Sequence, residues 1–343
     1  MNTSRSIVEA ALKFESPQRL PRDLWLLPIA AYLYPETIKY LNNKFPSDFN
    51  SSDYFYPPSE QAKGDPYKKG TYIDEWGCGF ENIRNGIIGE VRKPLLNDIS
   101  DWNMIKPPYE QLPKGKQLQK AYDHIARFYD HTELFVKANI CPRPWERYQF
   151  IRGSQNSYLD ILFPDLGFRQ LLQKINDFYL KELEIWVHSR VDAIGFMDDW
   201  GAQNSLLIDP EMWRYYFKPI YKQYCDMAHA EGKSVFMHSD GYIQDIIPDL
   251  IEIGVDALNS QLFCMDLDKI AQIGKGKITF WGEIDRQHIL PDSDPAAGKR
   301  AVQTISEKLY LPTGGIIAQL EFGAGANPET VKAVYAEWDK FRL

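Results

Sequence analysis

The pattern that most constrains this chain is an alternation of short apolar runs with longer helix-period stretches after about residue 134. The runs predict strands at 134–139, 148–153, 191–199, 233–240, 255–260, 278–285 and 315–321, and a further candidate near the start covers 24–32. Strands that alternate with helices indicate βα units and a parallel sheet. Seven or eight such units favour an α/β fold of the TIM-type (β/α)8 barrel class over an open sheet.

The length of 343 residues suits one such barrel with insertions, so a single domain over 1–343 is expected. Residues 1–130 are rich in Pro, Gly and Tyr and have few periodic segments. We interpret 1–130 as an irregular N-terminal elaboration with the first barrel units, and 131–343 as the main part of the barrel.

The stretch 209–232 is the best-defined predicted helix. Asp209 is the expected N-cap, Pro210 the first helical residue and Gly232 the end, while Pro219 should kink or divide the helix. Two further helices with similar end signals are predicted at 242–254 and 327–343.

Charge and hydropathy exclude several classes of function. The chain has 39 Lys and Arg against 47 Asp and Glu, a net charge of −8, which argues against nonspecific nucleic-acid binding and against an anionic membrane surface. No leader-like or membrane-spanning apolar run is found, and the four cysteines are scattered, so a cytoplasmic protein with reduced thiols is expected. No glycine-rich nucleotide loop follows an early strand.

Polar residues end each of the late predicted strands. They are Asp198, Asp199, His238, Asp240, Asn259, Glu283, Asp285 and Glu321. In a parallel barrel these ends converge on the C-terminal rim, where such folds carry their chemistry. Asp240 or Asp285 alone is a plausible helix cap. Five strands in succession that end this way indicate an active-site rim.

The rim has the composition of a metal site. His238, Asp240, Glu283 and Glu321 offer nitrogen and oxygen ligands that suit zinc or a harder divalent ion. So many acids without a cation would repel one another, and some of their pKa values would rise. The alternative is that His238 is a rim histidine bonded to a neighbouring acid.

An acidic and aromatic segment stands out in the N-terminal part. In "TYIDEWGCGF", Asp74, Glu75 and Trp76 precede a Gly-x-Gly turn. A loop of this kind forms a pocket wall or lid, or else it is the exposed loop of a β-hairpin.

Four segments carry a family resemblance: "FMDDWGAQNSLLIDPEMWRYYFKPIYK", "VFMHSDGYIQDIIPDLIEIGVDALN", "ITFWGEID" and "NPETVKAVYAEW". In this order they resemble the uroporphyrinogen decarboxylase superfamily, which includes methyltransferases that serve corrinoid proteins. The resemblance runs from about residue 145 to the end, and more loosely through 70–100. It implies an α/β barrel with an N-terminal elaboration.

The decarboxylase branch of the superfamily is the poorer match. Its arginine-bearing segment is expected near Arg19 and Arg22, but the Arg-Gln-Ala-Gly-Arg run is missing. A substrate with eight carboxylates needs a cationic pocket, because a buried unpaired anion costs several kcal/mol. Asp74 matches the family's catalytic aspartate, while Glu321 replaces the histidine expected near the C-terminus.

The methyltransferase branch binds zinc through a His-x-Cys pair and a second cysteine before the last helix. The resemblance implies a modified form of this site, in which His238 is kept and Asp240 and Glu321 replace the two cysteines. Carboxylate ligands leave a metal more Lewis-acidic than thiolates do, and they accept ions other than zinc.

These observations lead to three hypotheses. The first is metal-assisted methyl transfer from a small O- or N-methylated substrate to a corrinoid on a separate protein, by an enzyme that is expected to be a homodimer. The metal ligands would be His238, Asp240 and Glu321. The catalytic residues would be Asp199, Glu283 and Asp74, and the substrate-binding residues Trp76, Asp198, Gln203, Asn259 and Asp285.

The second hypothesis is a metal-free decarboxylase or related lyase that acts on a smaller acid, with Asp74 stabilising a developing positive charge. The third is a non-catalytic barrel that binds a small molecule and has lost its chemistry through the exchange of cysteines for acids.

Overall fold

The computed structural model describes residues 3–341, and its central feature is a parallel eight-stranded barrel. Within this range the strands are β1 (Arg22–Leu26), β2 (Phe49–Ser51), β3 (Gly70–Ile73), β4 (Gly79–Asn82), β5 (Glu90–Val91), β6 (Phe135–Lys137), β7 (Ala193–Met197), β8 (Ser234–Ser239), β9 (Ala257–Ser260), β10 (Thr279–Trp281) and β11 (Ile316–Phe322). The barrel order is β1-β11-β10-β9-β8-β7-β6-β2, which confirms the predicted (β/α)8 class.

β1 and β2 are the two ends of the strand order and share no ladder of backbone hydrogen bonds. Asp48 connects them instead. The Asp48 backbone N–H donates to the Arg22 carbonyl at 2.8 Å, and the Asp48 carboxylate accepts the Arg22 backbone N–H at 2.8 Å. Both oxygens of that carboxylate also bind the Arg19 guanidinium at 2.6 Å. Arg19 and Arg22 therefore serve the closure of the barrel, although Arg22 also pairs with Asp339.

Helices connect the barrel strands. Their bounds are α1 Ser4–Leu12, α2 Pro28–Leu33, α3 Pro35–Lys44, α4 Lys116–Asp130, α5 Pro144–Arg152, α6 Ser154–Leu162, α7 Leu166–Val187, α8 Pro210–Tyr216, α9 Lys218–Ala230, α10 Ile247–Ile253, α11 Leu267–Gly274, α12 Pro295–Leu309 and α13 Pro328–Trp338.

The long predicted helix is divided as expected. Asp209 caps α8, and Pro219 lies in the first turn of α9, where its missing N–H costs no hydrogen bond. The predicted helix 327–343 ends at Trp338, and its last two residues, Arg342 and Leu343, lie outside the described residues.

One strand prediction was wrong. Residues 148–153 belong to α5, which begins at Pro144 and buries Trp145, Tyr148 and Ile151. These three residues are spaced at i, i+3 and i+6, the spacing of one helix face, and a proline at the first helical position favours a helix start.

The N-terminal part combines helices with a small antiparallel sheet, β3-β4-β5, outside the barrel. The segment singled out by Asp74 is the turn of the β3–β4 hairpin. Inside the barrel, aromatic residues from several strands form one layer: Phe49, Phe135, Phe236 and Trp281. The end of the barrel above this layer is where the strand-end residues meet.

Two sequence features can be checked against the fold. Among residues 3–341, no helix is both long enough and apolar enough to cross a bilayer. The four cysteines, Cys78, Cys141, Cys225 and Cys264, are free thiols.

Candidate metal centre and substrate cavity

His238 is held at the end of β8 by Asn259 of the neighbouring strand β9. The imidazole Nδ1 lies 2.6 Å from the Asn259 Oδ1 atom. The Asn259 Nδ2 group donates to two oxygens, the Trp281 carbonyl and Gln319 Oε1, so Oδ1 must face the imidazole. Nδ1 therefore carries the proton, and Nε2 is left as a free acceptor or ligand atom. Asn259, which was predicted to bind substrate, thus orients this histidine.

Two carboxylates face the free nitrogen of His238. Asp199 Oδ1 and Asp240 Oδ1 each lie 3.6 Å from Nε2, and the three ligand atoms are all within 4.8 Å of one another. Ligands at about 2.0–2.2 Å from a tetrahedral ion are about 3.3–3.6 Å apart. Asp240 Oδ1 is buried and has no hydrogen-bond partner. The three residues fit a divalent ion, because an ion would satisfy that oxygen.

Arg286 connects the remaining rim carboxylates. Its guanidinium lies 2.6 Å from Asp240 Oδ2, 2.6 Å from Glu321 Oε1 and 3.3 Å from Glu283 Oε2. It therefore supplies the cation that a rim with so many acids requires. Asp240 is shared: Arg286 holds one oxygen, and the other points at His238. Glu321 contacts Arg286 and is not in the three-residue group.

Glu283 is a strongly perturbed acid beside Arg286. Its side chain is 2% exposed, and burial, together with the charges of Asp240, Glu321 and Asp285, raises its pKa to about 8 in spite of Arg286. Its Oε1 atom is buried without a hydrogen-bond partner. At neutral pH this carboxyl group is mostly protonated and can donate a proton.

Asp198 and Asp285 have structural contacts. The Asp198 carboxylate accepts the backbone N–H groups of Trp145 and Glu146 at the start of α5, at 2.9 and 2.7 Å. The Asp285 carboxylate accepts two backbone N–H groups of the turn that follows it, at 2.6 and 3.0 Å. These contacts match the helix-cap alternative for Asp285.

A cavity of about 310 Å³ opens beside the three-residue group. Its lining includes His238 together with the aromatic residues Trp25, Phe236 and Trp281, and Lys137 at the end of β6. Gln203 does not line it; that residue lines a separate space of about 90 Å³ with Glu283 and Arg286.

The hairpin segment lines a second, adjoining cavity of about 410 Å³. Asp74 is buried, accepts the backbone N–H groups of Trp76 and Cys78 at 3.0 and 2.8 Å, and pairs with Arg147. Trp76 is 1% exposed and packs against Phe178. The segment is thus both a hairpin turn and a cavity wall. The two cavities share the lining residues Asn139, Ile140 and Cys141.

Sequence reasoning missed three cations of this region: Lys137, Arg147 and Arg286. The signal for Arg286 was present, because it follows Glu283 by three residues in "GEIDRQH" and is the cation that an acidic rim demands. Lys137 lies within the predicted strand 134–139 and is the last residue of the observed strand β6. Arg147 lies one residue before the segment 148–153 that was interpreted as a strand.

Comparison with known proteins agrees with the fold. Residues 71–341 match the family described as Uroporphyrinogen decarboxylase (URO-D). No curated protein matches the chain in sequence at a significant level. A methyltransferase from Methanosarcina mazei has a similar structure, with a TM-score of 0.70, 15% identity and 99% of each chain covered. Xylanase 10B from Thermotoga maritima has a TM-score of 0.47 at 10% identity, over 99% of this chain and 98% of that one.

Proposed function

Because the chain belongs to the uroporphyrinogen decarboxylase family, we propose that it transfers a methyl group from a small O- or N-methylated substrate to a corrinoid on a separate protein. A divalent metal, with zinc as the first candidate, would be held by Asp199, His238 and Asp240. The observation that carries this proposal is the buried, unpartnered Asp240 Oδ1, 3.6 Å from the free nitrogen of His238. The similar fold of a methyltransferase also supports a proposal of methyl transfer.

The surrounding residues suit a metal site. Asn259 fixes the ring of His238, and Arg286 fixes the carboxylate of Asp240 through its other oxygen. Partners of this kind orient metal ligands and are typically needed for full affinity. The ligand set suggested by the family resemblance is therefore revised in one place, with Asp199 in place of Glu321.

The residues have separable tasks in the reaction. A bound ion would act as a Lewis acid on the heteroatom that carries the methyl group. The corrinoid of the partner protein would supply the acceptor for the methyl group, and the electron pair of the carbon–heteroatom bond would stay on the heteroatom. The heteroatom then needs a proton, for which Glu283, mostly protonated at neutral pH, is our candidate.

The decisive measurement is metal content after purification without chelator. We expect about one divalent ion per chain, and its loss in His238→Ala and Asp199→Asn. Asp285→Asn is the matched control, because that carboxylate also follows a barrel strand but caps a turn. Retention of metal in Glu321→Gln would support the revised ligand set.

Activity is tested next, with methylated substrates and a reduced corrinoid acceptor whose absorbance changes on methylation. Absence of metal in the wild-type protein, even after zinc, manganese or iron is supplied, would contradict the proposal.

A decarboxylase is the alternative. What favours it is the second cavity, where Arg143 and Arg147 lie close to Asp74. In that reading Asp74 would stabilise positive charge on the substrate, but its carboxylate is already paired with Arg147. Release of CO2 from a carboxylated substrate by metal-free protein would favour this alternative.

A non-catalytic binding barrel is the third candidate. The observation in its favour is that Arg286 binds carboxylates that could otherwise serve a metal, Asp240 and Glu321. Binding of small molecules by a protein that takes up no metal and turns over no substrate would favour it.

A further inference from the structure

Lys137 is a buried cation at the edge of the substrate cavity that the proposed methyl transfer leaves without a role. It is the last residue of β6, and its side chain is 17% exposed. The ammonium lies 4.2 Å from the ring centroid of Trp281, within the range of a cation–π contact. Burial lowers its pKa in spite of the nearby Asp23. A charged group in this position gains from an anion that enters the cavity.

Asp23 is near this ammonium group but does not form a normal hydrogen bond with it. Its Oδ2 atom lies 3.7 Å from Lys137 Nζ, which is longer than a hydrogen bond. The same oxygen accepts the indole N–H groups of Trp25 and Trp281, at 3.1 and 3.0 Å. Asp23 therefore holds two tryptophan rings in place, and the donors of Lys137 are left for another acceptor.

The walls of the cavity are aromatic. The ring centroid of Trp25 is 4.9 Å from that of Trp281 and 5.2 Å from that of His238, and Phe236 is 5.0 Å from Trp281. Ligand pockets range over about 300–1,000 Å³. At about 310 Å³ this cavity holds only a small molecule, and its rings pack well against a flat one.

We propose that this cavity binds a small aromatic or otherwise planar substrate that carries a carboxylate or a phenolate, with Lys137 as its counter-ion. The proposal names the substrate class of the methyl transfer suggested above, on which its catalytic meaning rests. The anionic oxygen lies at Lys137, and the remainder of the molecule extends along the tryptophan walls towards His238. A charge-assisted hydrogen bond to Lys137 then selects against uncharged analogues.

A purely structural role for Lys137 makes a different prediction. If the lysine only balances the charge of Asp23, the cavity has no preference for anions over neutral molecules of the same shape. The preference is therefore measured with two ligands of matched shape, 4-methoxybenzoate and 4-methoxybenzamide. Metal-free protein is used, since a carboxylate could otherwise bind a metal.

Binding is measured by calorimetry and by quenching of tryptophan fluorescence. For the wild-type protein we expect the benzoate to bind about tenfold to a hundredfold more tightly than the benzamide. In Lys137→Met the ratio should fall to about one, and Lys137→Arg should keep part of it. Lys120→Met, at a lysine of the separate α4 surface, is the control and should keep the full ratio.

Equal binding of the two probes by the wild-type protein, binding of neither, or a full preference in folded Lys137→Met would overturn the proposal. The wild-type comparison needs no variant, so a variant that fails to fold does not remove the test. An anion preference in a protein that transfers no methyl group would contradict the proposed function and leave this inference standing.

Discussion

Two arginines organise carboxylates around the cavities, and they do so in different ways. The side chain of Arg147 is 6% exposed and binds Asp74 and Glu75 beneath the β3–β4 hairpin. Arg286 is 24% exposed and binds Asp240, Glu283 and Glu321 at the rim of the barrel. Both neutralise acids, but only the second cluster leaves buried carboxylate oxygens without hydrogen bonds.

The difference separates a structural ion pair from a binding site. Asp74 has one oxygen on two backbone N–H groups and the other on Arg147, so both of its oxygens are engaged. At the rim, two acceptor oxygens, Asp240 Oδ1 and Glu283 Oε1, remain available for a cation, whereas the buried atom without a partner in the hairpin cluster is a donor, Arg147 Nε. A natural protein rarely leaves buried polar atoms unsatisfied without a functional reason. The rim cluster is therefore the one expected to respond to ligands.

The largest effect should come from breaking the structural cluster. Arg147→Met leaves the buried Asp74 carboxylate without its counter-ion, so the free energy of unfolding should fall by about 3–5 kcal/mol. Urea unfolding measures this change. Arg190→Met is the control, because the side chain of Arg190, which pairs with Asp130, is more than half exposed. Loss of this ion pair should lower the free energy of unfolding by at most about 1 kcal/mol. Equal losses in both variants would remove the distinction between the clusters.

The rim cluster should respond in metal affinity. Asp240→Asn replaces a proposed anionic ligand by a neutral amide, and the affinity for zinc should fall by about a hundredfold or more. The free energy of unfolding of the metal-free protein should change by less than about 1 kcal/mol. Competition with a chromophoric chelator gives the affinity. An unchanged affinity would remove Asp240 from the ligand set.

A smaller effect is expected in the pH dependence of stability. Glu283 has a pKa of about 8 in the folded protein and about 4.3 when unfolded. Between these values the folded state binds the extra proton, so stability falls as the pH rises through that window. Glu283→Gln removes this fall and should be more stable than the wild type at pH 8, by roughly 1–3 kcal/mol.

The difference in the free energy of unfolding between Glu283→Gln and the wild type should disappear near pH 4.5. There the Glu283 carboxyl group becomes protonated in the unfolded state as well as in the folded state. Unfolding curves at several pH values measure it, and a constant difference across the range would contradict a raised pKa.

The smallest effect should come from the exposed partner of Arg147. Glu75 has a side chain that is 36% exposed, so its ion pair with Arg147 is screened by water. Glu75→Gln should lower the free energy of unfolding by about 0–1 kcal/mol, measured by the same urea titration. A loss as large as that of Arg147→Met would show that the two acids share the structural role equally.

Most of the barrel was predictable because its late strands are long apolar runs that end in polar residues. The runs at 191–199 and 233–240 contain β7 and β8, and the run at 315–321 covers all of β11 except its last residue, Phe322. The three-residue strand β2 was not predicted, because so short a run has no detectable period. Residues 148–153 were misassigned because short apolar runs suit strands and buried helices equally well.

The site was predictable in its composition and less so in its geometry. His238 and Asp240 were expected together, since they lie two residues apart at the end of one strand, β8. The choice between Asp199 and Glu321 as the third member depends on strand neighbours: β7 pairs with β8 directly, whereas β11 does not. Arg286 was not predicted, because the rim acids were interpreted as metal ligands. An arginine that neutralises the same acids was not considered.

The single carboxylate of Asp48 has a mechanical consequence for substrate choice. It joins β1 to β2 where a continuous ladder is missing, so the cylinder is least constrained against widening along that line. β1 carries Trp25 and β2 carries Ser51, and both residues line the cavity. We therefore expect the width of the cavity, and with it the thickness of the molecule it admits, to depend partly on the ion pair of Asp48 with Arg19, two residues that do not line the cavity.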